Sequence, residues 1–347
     1  MLNGIKKIQP LSGVDAILIT TPENVQYLSN FSGSHKKMLI SKKSMMLFTD
    51  DRYALRAQKE VPKASGIIIK TQNDDFKNEV KKYKTIGFEP ENMTVKNLQK
   101  LESQFPKIKW KAIDSPIEKL RRQKTPDEIK KIQKSCSILD KVYDNLIKQI
   151  TTGCTELSLA LKVRELAIKH GAEDLAFEPI IAFGKNSAIP HHKSNGTKLK
   201  PNDVILMDMG VKYNGYCSDM TRVIVPKNAP VKLKQMYRAC LEAKNEAATK
   251  AKTNMKCSDL DSIARKVLSK YELEKYFTHS LGHGLGLEIH EAPSVSKHSD
   301  EVLKENTVFT IEPGVYINNF GGIRLEDTYI IKNGKAVSLT KTPIQKP

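Results

Sequence analysis

The first third of the chain alternates short apolar runs with amphipathic ones. "VDAILIT" (14–20), "KMLIS" (37–41), "MMLFTD" (45–50), "GIIIKT" (66–71) and "TIGFEP" (85–90) predict strands, because each is short, apolar and bounded by turn-forming or charged residues. "DDFKNEVKKY" and "VKNLQKLESQF" carry apolar positions at helical spacing between them. This part therefore predicts a small α/β domain.

The pattern changes across "DSPIEKLRRQKTPDEIKKIQKS" (114–135), where prolines and dense charge precede a long amphipathic stretch. Thr125, Pro126, Asp127 and Glu128 predict the helix start: a hydroxyl N-cap, proline in the first turn, and acids near the positive dipole end. The boundary is expected near residue 116, giving parts 1–116 and 117–347. The second part predicts helices from about 126 to 170 and the short run "FEPIIAF". A strand pair follows at 203–225, then helices at 231–272 and strands at 306–317 and 323–332. Helix pairs alternating with hairpins argue for an α+β fold rather than a doubly wound parallel sheet. Acid-bearing hairpins in both halves hint at a distant internal duplication.

Charge changes the picture less than its size suggests. The formal net charge of +18 admits a nucleic-acid-binding scaffold as a rival function. The lysines, however, spread over most predicted helices instead of forming one stripe, so they read as solvated faces and nucleic acid is not the expected partner. No run approaches the ~18 apolar residues of a membrane span, and the first twenty residues lack a leader's apolar segment. Five scattered cysteines without CxxC pairing predict reduced thiols and a cytoplasmic protein.

The chemistry is concentrated in two ribbons. In "VILMDMGVKYNGYCSDMTRVIV", Asn214-Gly215 predicts a two-residue type I′ turn, which needs positive φ at both positions. Residue 213 then pairs with 216, Asp208 with Thr221, and Gly210 with Asp219. Asp208 and Asp219 lie diagonally on one face, roughly 7–8 Å apart at the backbone. Two carboxylates converging in an apolar ribbon are costly to bury ionised, and a divalent cation removes that cost. "FTIEPGVYINNFGGIRLEDTYII" repeats the theme: pairing symmetric about Asn319 sets Glu312 opposite Glu326, and Pro313-Gly314 interrupts the ladder beside Glu312.

"HSLGHGLGLEIHEAP" (279–293) sets His279 and His283 at the spacing of a zinc-peptidase helix. Ser280, not a glutamate, follows His279, and Gly282, Gly284 and Gly286 would each cost about 1 kcal/mol inside a helix. An extended, glycine-permitted backbone is predicted instead, bringing His283 close to the four carboxylates. His35, His170, His192 and His298 are read as structural.

Taken together, Asp208 in "DMG", Asp219 in "SDMTR", His283 in "GHGLG", Glu312 in "IEPG" and Glu326 in "RLED" resemble, in order, the five metal ligands of the pita-bread metallopeptidases. "SAIPHH" and "IEPGVYI" resemble the proline-directed branch, aminopeptidase P and prolidase. "PENVQYLSNFSGS" and "FTDDRYALRAQKE" are similar to that branch's creatinase-like N-terminal domain. The resemblance implies hydrolysis of Xaa-Pro bonds in peptides with proline second, and a homodimer. It implies two divalent ions, Mn²⁺ before Co²⁺, Fe²⁺ or Zn²⁺. Asp208 would sit on one ion, His283 and Glu312 on the other, with Asp219 and Glu326 bridging. It further implies that Glu312 shuttles the proton, His290 meets the oxyanion or substrate carbonyl, His191 contacts substrate, His279 shapes the proline pocket, and Arg324 steadies a bridging carboxylate or substrate. An aminopeptidase without proline preference is the nearest alternative. Asp51, Arg52 and Tyr53 of "TDDRY" are read as an exposed turn, the alternative being reach toward a partner's cleft.

Overall fold

A computed structural model describes residues 13–345. Residues 1–12, which carry most of the segment read as lacking a leader, lie outside the described residues. The chain divides into two compact units, one ending at Arg121 and the other starting at Arg122.

The first unit is built on six strands in the order Ile67–Lys70, Met45–Phe48, Lys37–Ser41, Ala16–Ile19, Thr85–Phe88 and Lys109–Ala112. The central strands form an antiparallel meander, while Ile67–Lys70, Thr85–Phe88 and Lys109–Ala112 join in parallel. The two-residue period of a strand divides the core: Ile17 and Ile19 join Val25, Met38 and Leu47 on one face, Ala16 and Leu18 join Phe48, Phe76 and Ile86 on the other. Helix Pro116–Arg121 belongs here, past the boundary expected at 116, because Ile117 is buried in the first cluster and Arg121 donates to Asn24 Oδ1 (2.8 Å). Asp51–Tyr53 forms one 3₁₀ turn on the surface, with Arg52 paired to Asp50 at 2.7 Å.

In the second unit, helix Pro126–Leu146 begins at the predicted Thr125 N-cap, which the structure completes as a capping box: Thr125 Oγ1 accepts from Glu128 N, and Glu128 Oε2 accepts from Thr125 N. This helix and Glu156–Lys169 pack on an antiparallel sheet of Ile180–Phe183, Ile205–Met209 and Met220–Ile224. A second helix pair, Val231–Lys250 and Cys257–Lys270, shares the larger core with a five-stranded sheet. Its strand order is Glu291–Val295, Gly282–Gly284, Val308–Ile311, Asp327–Lys332, Lys335–Ser338. The order helix pair, then acid-bearing hairpin, thus occurs twice. Cys136, Cys154, Cys217, Cys240 and Cys257 form no disulfides. No helix among the described residues is long and apolar enough to cross a membrane.

Both hairpins adopt the predicted register. Tyr213 pairs with Tyr216 and Asp208 with Thr221, across a turn whose Asn214 and Gly215 have φ of 48° and 80°. Ile317 pairs with Gly321 and Gly314 with Arg324; beyond the break, Ile311 pairs with Asp327. Glu312 and Glu326 occupy that break, one on each strand.

Candidate metal centre and active site

Gly282–Gly284 is a short strand and residues 279–281 are non-helical, so the helix that the glycines argue against is not formed. A Cβ on Gly282 would overlap the Thr310 carbonyl, and one on Gly284 the Ala292 carbonyl, so both strands flanking His283 approach at glycine distance. Helix Cys257–Lys270 fixes this backbone from beneath. Arg265, paired with Asp261 at 2.6 Å, donates to the carbonyls of Phe277 (3.1 Å) and His279 (2.8 Å), and Asp261 accepts from Leu281 N.

His283 donates from Nδ1 to the Gly284 carbonyl (3.1 Å), which turns Nε2 toward the acids: 3.3 Å from Glu312 Oε1 and 3.6 Å from Asp219 Oδ2. Donor atoms of Asp219, His283 and Glu326 all lie within 4.8 Å of one another. Asp208 comes in from strand Ile205–Met209, its Oδ2 2.5 Å from Arg324 Nη2. The five side chains, each from or beside a different strand, therefore meet.

Their electrostatics are those of a crowded acid cluster. Burial pushes Asp219 well above the usual carboxylate range, and the charge of Asp208 adds to the effect. Burial likewise drives Glu326 well up, with Asp219, Glu312 and Asp208 reinforcing it. Asp208 is raised by burial against the opposing pull of Arg324. Burial works against the charged forms of His283 and Glu312 too, but their mutual hydrogen bond and attraction win, holding His283 up at about 9 and Glu312 down at about 2.

Two carboxylate oxygens, Asp208 Oδ1 and Asp219 Oδ1, are buried with no hydrogen-bond partner among the described residues. Orphaned acceptors of this kind are rare in folded proteins. Here they belong to a cluster of hard oxygen donors with one imidazole, a donor set that fits divalent first-row cations.

The remaining predicted residues surround this cluster. Arg324 is buried, not an exposed hairpin charge; besides Asp208 it donates to Tyr316 Oη (2.7 Å), Thr221 Oγ1 (3.2 Å) and the Pro190 carbonyl (3.3 Å). It braces Asp208 rather than either expected bridging carboxylate. His279 stacks edge-on against Phe277, its Nε2 2.9 Å from Tyr316 Oη. His290 is exposed and lies edge-on to His283, centroids 4.4 Å apart. His191 is exposed and close enough for its charge to act on His279 and His290. His192, its neighbour, is buried against Glu156 (2.7 Å), a structural histidine as read.

Sequence reasoning missed Tyr316, Thr221, Thr310 and Glu156. Thr221 donates to Glu326 Oε2 (2.6 Å), and Thr310 links His283 N to Glu312 Oε1 at 3.1 Å each. Glu156 gathers Phe183 N, Asn186, His192 and Asn195 N around one buried carboxylate, setting the loop that carries His191. Strand parity held a signal for two of them: Tyr316 shares a face with Glu312, and Thr221 opposes Asp208.

This fold and site define a metallopeptidase: the chain belongs to metallopeptidase family M24, whose model matches residues 130–333. The Creatinase/Prolidase N-terminal domain matches residues 5–123. The chain is similar to the Xaa-Pro dipeptidase of Pyrococcus furiosus, with 37% identity over 343 residues, 98% of this chain and 97% of that one. Among solved structures, the Xaa-Pro dipeptidase from Bacillus anthracis superposes with a TM-score of 0.94 at 31% identity, covering 99% of this chain and 98% of that chain. The X-Pro aminopeptidase from Thermotoga maritima superposes at 0.89 with 34% identity, covering 96% and 97%. The α+β architecture, with a pita-bread unit following a creatinase-like one, agrees with the sequence expectation.

Proposed function

We propose that this chain hydrolyses the bond preceding proline at position two of peptides or in Xaa-Pro dipeptides, using a dinuclear divalent-metal centre. The observation that carries the reading is the meeting of Asp208, Asp219, His283, Glu312 and Glu326 with two carboxylate oxygens left unpaired. Similarity to named Xaa-Pro peptidases along nearly the whole chain supports the substrate class.

Asp208 would hold one ion, His283 and Glu312 the other, with Asp219 and Glu326 shared. Mn²⁺ is the first candidate, with Co²⁺, Fe²⁺ and Zn²⁺ behind it. Such ions supply Lewis acidity toward a water and the scissile carbonyl. The chain's own residues handle the proton. Glu312 Oε1 is engaged by Thr310 and lies 3.3 Å from His283, which leaves Oε2 to take a proton from the attacking water. That proton passes to the proline nitrogen, which has no N–H of its own and leaves only when protonated. His290, exposed and edge-on to His283, would meet the developing oxyanion, and His191 would contact the substrate. Phe277, His279 and Tyr316 form a ring-lined wall suited to a pyrrolidine. Five thiols without disulfides fit a reducing cytoplasm.

The test is an assay of Gly-Pro and an Xaa-Pro-Pro tripeptide beside a methionyl-alanyl peptide, with Mn²⁺ added after chelation. Metal-dependent cleavage of either proline substrate is expected. Cleavage of the methionyl peptide alone would refute the proline preference, and cleavage independent of metal would refute the centre.

A further inference from the structure

The first unit contains a cavity of about 420 Å³, remote in sequence from the metal-centre residues. Thr20 lines it just past the carboxyl end of Ala16–Ile19, and Asn92 and Met93 line it past the carboxyl end of Thr85–Phe88. These two strands are parallel neighbours. Sheet order runs from the first toward Lys37–Ser41 on one side, and from the second toward Lys109–Ala112 on the other. Strand order reverses between them, which is where open α/β sheets leave a ligand crevice.

The lining is chemically one-sided. Leu18, Phe76 and Leu101 supply apolar surface; Lys37 and Lys100 supply ammonium groups; no acidic side chain takes part. Lys37 Nζ sits 3.4 Å from the centroid of the Phe76 ring, and no carboxylate among the described residues pairs with it. Burial, and then the charge of Lys100, hold the Lys37 ammonium down at about 8. Thr20 Oγ1 is buried without a hydrogen-bond partner among the described residues. Lys77, the third lysine of the lining, is already paired with Asp74 at 3.1 Å. Among the described residues, the half-buried ammonium of Lys37 and the exposed one of Lys100 have no carboxylate partner, and they share the lining with the Thr20 hydroxyl and the Phe76 ring.

We propose that this cavity is a second binding site, taking a small organic carboxylate with an apolar body. The carboxylate lies between Lys37 and Lys100 within reach of the Thr20 hydroxyl, and the body rests on Leu18, Phe76 and Leu101. A phosphate group suits the site less well, since neither an arginine fork nor a glycine-rich turn lines it.

The test uses the full chain and 3-phenylpropanoate, titrated by calorimetry in chelator so that the carboxylate finds no cation in the second unit. Saturable binding is expected, weakened about tenfold by Lys37→Met and severalfold by Lys100→Gln. Lys100 is exposed, so its variant carries the test even where Lys37→Met fails to fold. N-acetoxysuccinimide at pH 8, read by peptide mass mapping, is expected to label Lys37 faster than surface lysines, with protection by 3-phenylpropanoate. Absence of saturable binding up to about 10 mM, or binding unchanged in both variants, would overturn the proposal. Inorganic phosphate binding as tightly as 3-phenylpropanoate would overturn its apolar half.

Discussion

Replacing Arg324 by methionine tests how the acid cluster is held. In the cation-free protein, the guanidinium is the countercharge of Asp208 at 2.5 Å, and it also ties Tyr316, Thr221 and the Pro190 carbonyl together. Methionine fills much of the volume but leaves Asp208 without a partner. Breaking a buried pair from one side costs about 3–5 kcal/mol. For a unit of this size, that corresponds to a fall in melting temperature on the order of 10 °C.

The loss has a sign in pH. The Asp208 carboxyl is already raised above 3.8 by burial, and removing Arg324 raises it further. A carboxyl with a raised folded pKa contributes stability below its ordinary value and loses it as pH climbs through the raised one. Chelated Arg324→Met should therefore lose most at pH 8 and less at pH 5, where Asp208 can take up a proton. Saturating Mn²⁺ should restore part of the loss by supplying the missing positive charge. Scanning calorimetry of both proteins at both pH values, with and without metal, measures all of this. A chelated variant within about 2 °C of the parent at pH 8, or one hurt more at pH 5, would refute the reasoning.

Three further outcomes follow from the same geometry. Asp219→Asn removes a charge that burial and Asp208 both disfavour, so the chelated protein should melt no lower than the parent. Its Mn²⁺ affinity by equilibrium dialysis should nevertheless drop at least about tenfold, with peptidase activity lost. In chelator, His283 is raised from 6.5 to about 9, so its contribution is complete below pH 6.5 and lost as pH rises toward 9. Urea titrations across that window should show a decline on the order of 2–3 kcal/mol that His283→Ala flattens. Glu156→Ala leaves Phe183 N, Asn186, His192 and Asn195 N without their acceptor and should cost about 3–5 kcal/mol in urea denaturation, whereas Glu156→Gln should cost less than half of that.

What was legible in the sequence was whatever strand period and turn chemistry control. Asn214-Gly215 set one register and the symmetry about Asn319 set the other, so the pairing of Asp208 with Thr221 and the facing of Glu312 and Glu326 could be read before any fold was known. Glycine spacing likewise excluded a helix at 279–284. Glu156 was illegible for the opposite reason. Its partners lie 27 to 39 residues away, at the end of strand Ile180–Phe183 and on the loop after it, and nothing local distinguishes it from the solvated glutamates of other helices. Arg222, Lys244 and Asp327 were hidden in the same way: they meet at 2.6 Å behind Glu326 from three elements that only the packed core brings together. Tyr316 falls between these cases. Gly322 opposes it, and a Cβ on Gly322 would meet the Tyr316 ring and the Ser187 carbonyl, while a Cβ on Gly314 would meet the Tyr316 hydroxyl and His279, so both glycines make room for this one side chain.

A charge count explains why the cluster is shaped for cations and not for its own stability. Asp208, Asp219, Glu312 and Glu326 bring four potential negative charges, against which, among the described residues, Arg324 and a protonated His283 are set. Threonine hydroxyls answer one oxygen each of Glu326 and Glu312, and Arg324 answers one of Asp208. The side chain of Asp219 makes no hydrogen bond among the described residues; His283 Nε2 stands 3.6 Å from its Oδ2. A buried network left this incomplete is worse than an apolar core unless something else completes it. Two divalent cations would cancel all four carboxylates, let His283 turn neutral, and leave Arg324 as one excess positive charge. That sign favours substrates bearing a carboxylate close to the scissile bond, which an Xaa-Pro dipeptide has and a long peptide lacks. Dipeptides should therefore lose more of their kcat/KM than tripeptides when salt is raised, and equal losses would count against this balance.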